Sequence, residues 1–133
     1  REESVLLAES REEEEVLAVL DSGATEQIVG KSVLEAIKKR VKVKMEKCRR
    51  VFNTANGQIV SEEAAVFPIR IGSKAGTLKA YVLQTDVPLL FGKGAMKKAG
   101  AVMRLEENVI ELFGQDVAMH EMPSGHLGIK VFH

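Results

Sequence analysis

An aspartate follows an apolar segment directly in the sequence VLAVLDSGAT, where Asp21 precedes Ser22 and Gly23. A carboxylate in such a place can act as a general base on a water molecule, or as an acid when it is protonated. The same tripeptide is also common in turns, where the aspartate accepts hydrogen bonds from backbone amides. The tripeptide alone favours a turn, so the chemical interpretation depends on the rest of the sequence.

The other residues that could do chemistry do not form a recognised arrangement. Cys48, the single cysteine, has no histidine or asparagine in a thiol-protease pattern. Ser22 is not part of a Gly-x-Ser-x-Gly elbow. His120, His126 and His133 lack the compact spacing of metal ligands. We therefore expect no metal site and no cofactor.

The bulk composition predicts one domain. The chain has 133 residues, 45% of them hydrophobic, with 19 basic and 19 acidic side chains. This size supports one core, and the balanced charge gives no net attraction to nucleic acid or an anionic membrane. No apolar run approaches the ~20 residues that span a bilayer, and the start lacks the features of a signal peptide. We therefore expect no membrane partner. The single cysteine fits a reducing compartment. Because the sequence begins with Arg1, we expect a chain that is cut from a longer one.

Periodicity predicts a mostly-β chain with about eight short strands and two short helices. Before Asp21, two apolar segments flank the charged stretch Glu9 to Glu15, which suggests two strands and a solvated turn. One helix is predicted from Ser32 to Val41, with Ser32 as its N-cap. Asn56-Gly57 is suited to the tight turn of a protruding hairpin.

The second half of the chain continues this pattern. Pro68 suggests an edge or a bulge in its strand. A second helix is predicted in GAMKKAG with Gly100 as its C-cap, and a last hairpin turns at Glu107-Asn108. The segment 115–133 has no clear period, so we predict a tail or linker there.

Taken in order, these segments resemble the retropepsin-like aspartic proteases of retroviruses and long-terminal-repeat retrotransposons. VLAVLDSGATEQIVG resembles their Asp-Thr/Ser-Gly-Ala motif after an apolar strand, and FNTANGQIV resembles their flap. VPLLFGKGAM resembles their apolar-apolar-Gly signature, and AVMRLEENVIELFG resembles the closing hairpin of retrotransposon members. The resemblance covers about Ser4 to Gly114. It implies a retropepsin-like closed β-barrel that forms half of an aspartic protease. The implied protease domain covers residues 1–114, and residues 115–133 are the predicted tail or linker.

The same resemblance implies the site residues, with Asp21 as the catalytic group. The active-site loop would consist of Ser22, Gly23, Ala24 and Thr25. The flap that binds substrate would consist of Asn53, Thr54, Ala55, Asn56, Gly57 and Gln58. The supporting loop behind the aspartate would consist of Leu90, Phe91 and Gly92.

Peptide hydrolysis by this class uses two carboxyls that share one proton around a water molecule. Asp86 and Asp116 are the only other aspartates, and neither is followed by Ser/Thr-Gly. One chain therefore supplies half of a site, and we predict a homodimer with Asp21 of both copies in contact on a two-fold axis. The resemblance implies an extended polyprotein substrate that pairs with the flap backbone, and a location in the cytoplasm or within virus-like particles.

Two features depart from this expectation or compete with it. The flap has only Gly57 at its tip, whereas viral relatives tend to have several glycines. The segment Lys38 to Arg50 is rich in lysine and arginine, which fits the solvated face of a helix and a strand or a surface that contacts RNA or the polyprotein. No aromatic residue interleaves with these charges to stack on bases, so we do not expect nucleic acid as a partner.

The alternative function is a retropepsin-like fold kept as a dimerisation or peptide-binding module without catalysis. The intact Asp21, Ser22 and Gly23 argue against it, because a binding module has no need of a carboxylate pair that is costly to bring together. Aspartic endopeptidase activity is therefore the favoured prediction.

Overall fold

The computed structural model describes residues 16–132 and shows a mostly-β fold with two short helices. The helices are α1 (Lys31–Lys38) and α2 (Lys93–Lys98), and a 3₁₀ turn spans Leu105–Glu107. The strands are β1 (Leu17–Leu20), β2 (Ile28–Gly30), β3 (Lys44–Thr54), β4 (Gly57–Ile71), β5 (Lys74–Leu83), β6 (Leu89–Phe91), β7 (Val102–Arg104), β8 (Val109–Leu112), β9 (Gln115–Ala118), β10 (His120–Glu121) and β11 (Leu127–Lys130). The predicted strand SVLLA and the charged turn after it lie outside the described residues. Neither helix of the described part is long and apolar enough to cross a bilayer.

Eight strands form the main sheet, in the order β10-β11-β1-β6-β2-β5-β4-β3. The pairs β1–β6 and β2–β5 are parallel, and the other neighbours are antiparallel. The expected closed barrel is not present in the part of the chain described, because β3 and β10 remain unpaired edges. Closure would need these strands to pair, but β10 is two residues long and β3 leaves the sheet in a long hairpin.

The remaining strands, β7, β8 and β9, form a small antiparallel sheet. The predicted turn at Glu107-Asn108 is confirmed, because Asn108 follows the 3₁₀ turn with a φ of 56°. Asparagine is one of the few residues that adopt this left-handed conformation at low cost. The small sheet adds Ile110 and Leu112, both fully buried, to the core.

Both predicted helices are confirmed, but the predicted N-cap is not. Helix α1 begins at Lys31 with Gly30 as its N-cap, and the Ser32 hydroxyl instead donates a 2.6 Å hydrogen bond to Oδ1 of Asp86. Position 30 requires a glycine for another reason, because a Cβ there would overlap the backbone of Val87. Gly100 follows α2 with a φ of 65°, as predicted for a residue that ends a helix.

The strand β4 contains Pro68 at a point where only one side of the strand is paired. Its pairing with β3 ends at Lys44↔Val66, whereas Pro68 pairs with Thr77 of β5. A proline cannot donate to a sheet ladder, so it is tolerated where a neighbour is missing. The predicted edge position of Pro68 is confirmed.

The segment predicted as a tail or linker, 115–133, is instead part of the fold. It contributes β9, β10 and β11, and β11 pairs antiparallel with β1 through Leu17↔Lys130 and Val19↔Gly128. Ile129, Val131 and Phe132 are buried in the same cluster as the residues of β1. Their burial stabilises the strand that leads to Asp21, so the end of the chain supports the candidate site.

Candidate active site

Asp21 directly follows β1, which is an inner strand of the main sheet. This strand lies between β11 and β6, and its residues Ala18 and Val19 are buried. It runs parallel to β6 with Leu20 opposite Phe91, and the Asp21 amide donates a 3.1 Å hydrogen bond to the Phe91 carbonyl. The carboxyl ends of two parallel strands therefore bring the Asp21 loop and the predicted supporting loop together.

The loop after β1 folds back on the Asp21 side chain. The Gly23 amide donates to Oδ1 of Asp21 at 2.9 Å, and the Ala24 amide donates to the Asp21 carbonyl at 3.1 Å. Asp21 is half-buried, and its Oδ2 has no hydrogen-bond partner within the described residues. The turn interpretation of Asp-Ser-Gly is thus correct for one carboxylate oxygen, and the other oxygen is left for chemistry.

Ser22 and Thr25 are exposed in this turn. In contrast, the backbone amide and the backbone carbonyl of Ala24 both make hydrogen bonds. The Lys93 amide at the start of α2 donates to the Ala24 carbonyl at 2.7 Å. Since the Ala24 amide is bonded to Asp21, the active-site loop is fixed to both β1 and α2. Ser22, Gly23 and Thr25 are the exposed members of the loop, which a second molecule could contact.

The supporting loop requires a glycine at position 92. A Cβ on Gly92 would lie 2.7 Å from the Glu26 carbonyl oxygen and 2.8 Å from that of Ala24. The Gly92 amide donates to Oε1 of Gln27 at 3.2 Å. Phe91 is buried and Leu90 is half-buried beside it. Close backbone contact therefore joins this loop to the active-site loop.

The predicted flap is a hairpin of β3 and β4, and all six of its predicted residues are exposed. Its turn consists of Ala55 and Asn56, one residue earlier than predicted, and Thr54 pairs with Gly57. Gly57 has a φ of 116°, so it takes the conformation that disfavours a side chain. The Thr54 hydroxyl donates to the Gly57 carbonyl at 2.7 Å, which stabilises the turn.

A cavity of about 600 Å³ separates the active-site loop from residues 49–53 of β3, the part of the flap hairpin that we call the flap arm. One wall consists of Gly23, Thr25 and Glu26, and the other consists of residues 49–53 of β3. The structure thus brings Gly23, Thr25 and Asn53 to one cavity, whereas the flap tip from Thr54 to Gln58 does not line it. An ion pair between Glu26 and Arg50 joins the two walls.

A family model described as aspartyl protease matches residues 10–129. The chain belongs to the aspartyl protease family. No curated protein matches the sequence closely enough to serve as a named relative. The family match confirms the aspartyl protease part of the predicted resemblance, and its description names no viral or retrotransposon source. The match also extends past Gly114 into β11, in agreement with the paired C-terminal strands.

The other aspartates of this aspartyl protease are engaged away from the Asp21 loop. Asp86 accepts the hydrogen bond from Ser32. Asp116 lies 2.8 Å from the Arg104 guanidinium, and hydrogen bonds to Asp116 and then Glu107 raise the pKa of Arg104 above its ordinary value. Within residues 16–132, Asp21 is therefore the one aspartate on the active-site loop.

Sequence patterns had not singled out three residues that position this aspartyl protease site: Glu26, Gln27 and Arg50. Gln27 had a local signal, because it is a polar residue immediately before β2. The pairing of Glu26 with Arg50 had none, because the two lie 24 positions apart and meet only when the flap forms. In the part of the chain described, no three His, Cys, Asp or Glu side chains are grouped to hold a metal ion.

Proposed function

We propose that this protein is an aspartic endopeptidase that is active as a homodimer, with Asp21 of both copies at one catalytic centre. The observation that carries the proposal is the single aspartate on a loop that β1, β6 and α2 hold in place. The family supports peptidase chemistry, and that chemistry needs a second carboxyl. A two-fold axis beside the Asp21 loop supplies the second carboxyl with the same loop geometry.

In the proposed dimer, the two Asp21 carboxyls share one proton. The ionised carboxyl removes a proton from a water molecule, and the protonated carboxyl donates a hydrogen bond to the scissile carbonyl oxygen. The tetrahedral intermediate collapses when the leaving amine takes a proton from the pair, so the site returns to its starting charge. The Gly23 amide holds Oδ1, which fixes the orientation of the carboxyl before substrate arrives.

The proposed substrate is an extended polypeptide that lies between the active-site loop and the flap. The cavity lined by Gly23, Thr25 and Asn53 supports this placement, because residues 49–53 of β3 form one of its walls. An extended chain can add its backbone hydrogen bonds to a neighbouring strand and place alternate side chains in pockets. A polyprotein from a retrovirus-like element or retrotransposon is the substrate class that we propose, on the resemblance of the Asp-Ser-Gly and flap segments.

The test is cleavage of an unstructured protein or peptide mixture, with and without pepstatin as a transition-state analogue. The proposal predicts pepstatin-sensitive cleavage whose specific activity rises with protein concentration, in parallel with dimer in sedimentation. Dimers without cleavage at any pH between 3 and 8 would instead support the silent dimerisation or peptide-binding module. Full activity in a monomer would contradict the shared site.

A further inference from the structure

The flap arm changes direction at an irregularity in β3. Its pairing with β4 shifts register between Lys47 and Arg50, which indicates a β-bulge. A bulge bends its strand and increases the local twist. On β4, Ser61 lies opposite Arg50 and is buried, and its hydroxyl is 2.9 Å from the Glu63 carbonyl and 2.8 Å from that of Val82. These contacts fix the root of the flap to the main sheet.

Beyond this root, the flap arm pairs with β4 in a two-stranded ribbon. Strand β4 pairs with β5 only from Ala64 onward, whereas its earlier residues pair with β3 alone. An isolated two-stranded hairpin is only marginally stable in water. The position of the ribbon relative to the active-site loop therefore depends on the few contacts made at its root.

Arg50 makes two further side-chain contacts at the point where the ribbon leaves the main sheet. Its guanidinium pairs with the Glu26 carboxylate on the active-site loop and lies 5.6 Å from the centre of the Tyr81 ring. The neighbouring Phe52 packs edge-on against the same ring, with centroids 5.8 Å apart. Glu26 is five positions after Asp21 in the loop, so Arg50 connects the flap arm to the loop that carries the carboxylate.

We propose that Arg50 is a positioning residue that, through Glu26 and Tyr81, holds the flap arm across the cavity from the active-site loop in the position that binds substrate. The effect of this contact on substrate binding rests on the proposed function. Its effect on the position of the flap arm does not. Arginine suits the role because its planar group can pair with a carboxylate and lie over an aromatic ring together, which a lysine does less well. The flap tip contributes no equivalent contact to the active-site loop, since Thr54 to Gln58 lie outside the cavity between them.

The expected effect is moderate because the pair is partly exposed. The side chains of Arg50 and Glu26 are 49% and 24% exposed, and ion pairs of this kind contribute little to stability. When only a fraction of molecules holds the competent flap position, the apparent affinity for substrate falls by that fraction. Loss of the contact should therefore raise KM by roughly twofold to fivefold, with kcat changed less than about twofold.

The experiment compares Glu26→Gln, Arg50→Gln and Arg50→Lys with the wild-type protein. The double variant Glu26→Gln/Arg50→Gln should raise KM no more than Arg50→Gln alone, because that change already removes the pair with Glu26. Arg50→Lys should restore part of the affinity, since lysine keeps the charge. Glu35→Gln is the matched control, because Glu35 forms a comparable exposed pair with Lys38, at 3.5 Å, on α1.

Hydrogen exchange of the flap amides separates this inference from the proposed function, because it needs no catalysis. Glu26→Gln and Arg50→Gln should speed exchange at residues 51–60 relative to wild type and Glu35→Gln, with unchanged exchange in β1. Unchanged flap exchange in both variants would overturn the inference, even if the protein is an active protease. Faster flap exchange in a protein that never cleaves peptide would support the contact while removing the proposed function. An equal fall in kcat and rise in KM, with general loss of stability, would overturn the positioning role.

Discussion

The backbone amide of Gly23 donates a 2.9 Å hydrogen bond to Oδ1 of Asp21. This contact gives Asp21 two roles in one loop, because the same carboxyl closes the turn with one oxygen and would act in the proposed chemistry with the other. Within residues 16–132, the turn orients the side chain without an ion pair to Asp21. One change of side chain can therefore separate the structural role from the chemical one.

The substitution Asp21→Asn should remove cleavage activity and leave the fold intact. The amide oxygen of asparagine can still accept from the Gly23 amide, but the side chain cannot act as a base. We expect the rate to fall by at least roughly 10²- to 10⁴-fold, with little change in thermal stability. Dimerisation should persist or strengthen, because the repulsion between two carboxylates is removed. Asp86→Asn, at an aspartate bonded to Ser32, is the control and should retain activity. Cleavage by purified Asp21→Asn at the wild-type rate would move the chemistry to another residue.

The substitution Gly92→Ala should destabilise the protein by roughly 1–3 kcal/mol, because a methyl group there must displace backbone. Its Cβ would lie 2.7 Å from the Glu26 carbonyl oxygen. Gly76→Ala is a matched control, since a Cβ at Gly76 would meet nothing within 4 Å. Urea denaturation of both variants measures the difference. Equal midpoints for Gly92→Ala and wild type would show that the supporting loop is not held as tightly as its contacts indicate.

The C-terminal strand makes a separate stability prediction. Ile129 is fully buried, so Ile129→Ala should lower the free energy of unfolding by roughly 2–5 kcal/mol. Val102→Ala, at a residue 50% exposed, should change it by less than roughly 0.5 kcal/mol. A chain that ends at Gly114 should fail to fold in circular dichroism and proteolysis experiments. If the 1–114 fragment folded stably, residues 115–133 would be the tail or linker that the sequence predicted.

Cleavage should depend on pH as a bell, because the active pair must hold one proton between two carboxyls. Both carboxyls are protonated on the acid side and neither can act as base, whereas both are ionised on the alkaline side and neither can donate. We expect an optimum at roughly pH 4 to 6. The dimer fraction should also fall as pH rises through the alkaline limb, because two carboxylates then face each other. Cleavage rate and dimer fraction measured at each pH test both statements. A flat rate between pH 4 and 9, or an optimum above pH 8, would contradict the pair.

Local patterns predicted much of what positions the candidate site. The apolar run of β1 and the turn after it are encoded in adjacent residues, and so is the flap hairpin around Gly57. The turn of the flap was predicted one residue late, because Asn-Gly fits the centre of a tight turn whereas Gly57 follows that centre here. Position 57 requires the glycine in either register.

The features that were missed depend on partners far along the chain. In β11 and the residue after it, Leu127, Ile129 and Val131 alternate as a strand requires, but Gly128 and the preceding Pro-Ser-Gly conceal the pattern. Burial of this strand is decided by β1, more than 100 positions earlier. The closed barrel was expected from the family resemblance, whereas closure depends on the lengths of β3 and β10. The Glu26–Arg50 pair likewise exists only after the flap has formed.

A mixing experiment tests the shared catalytic centre most directly. Wild-type and Asp21→Asn protein are combined in equal amounts at a fixed total concentration at which dimers dominate, and the rate of peptide cleavage is measured. Random pairing leaves about one quarter of the dimers with two Asp21 residues, so the account predicts a rate near one quarter of that of pure wild type. The same mixture made with Asp86→Asn should keep the full rate. Once the subunits have exchanged to random pairing, a rate near one half would mean that each chain carries a complete site, and it would contradict a catalytic centre built from Asp21 of two copies.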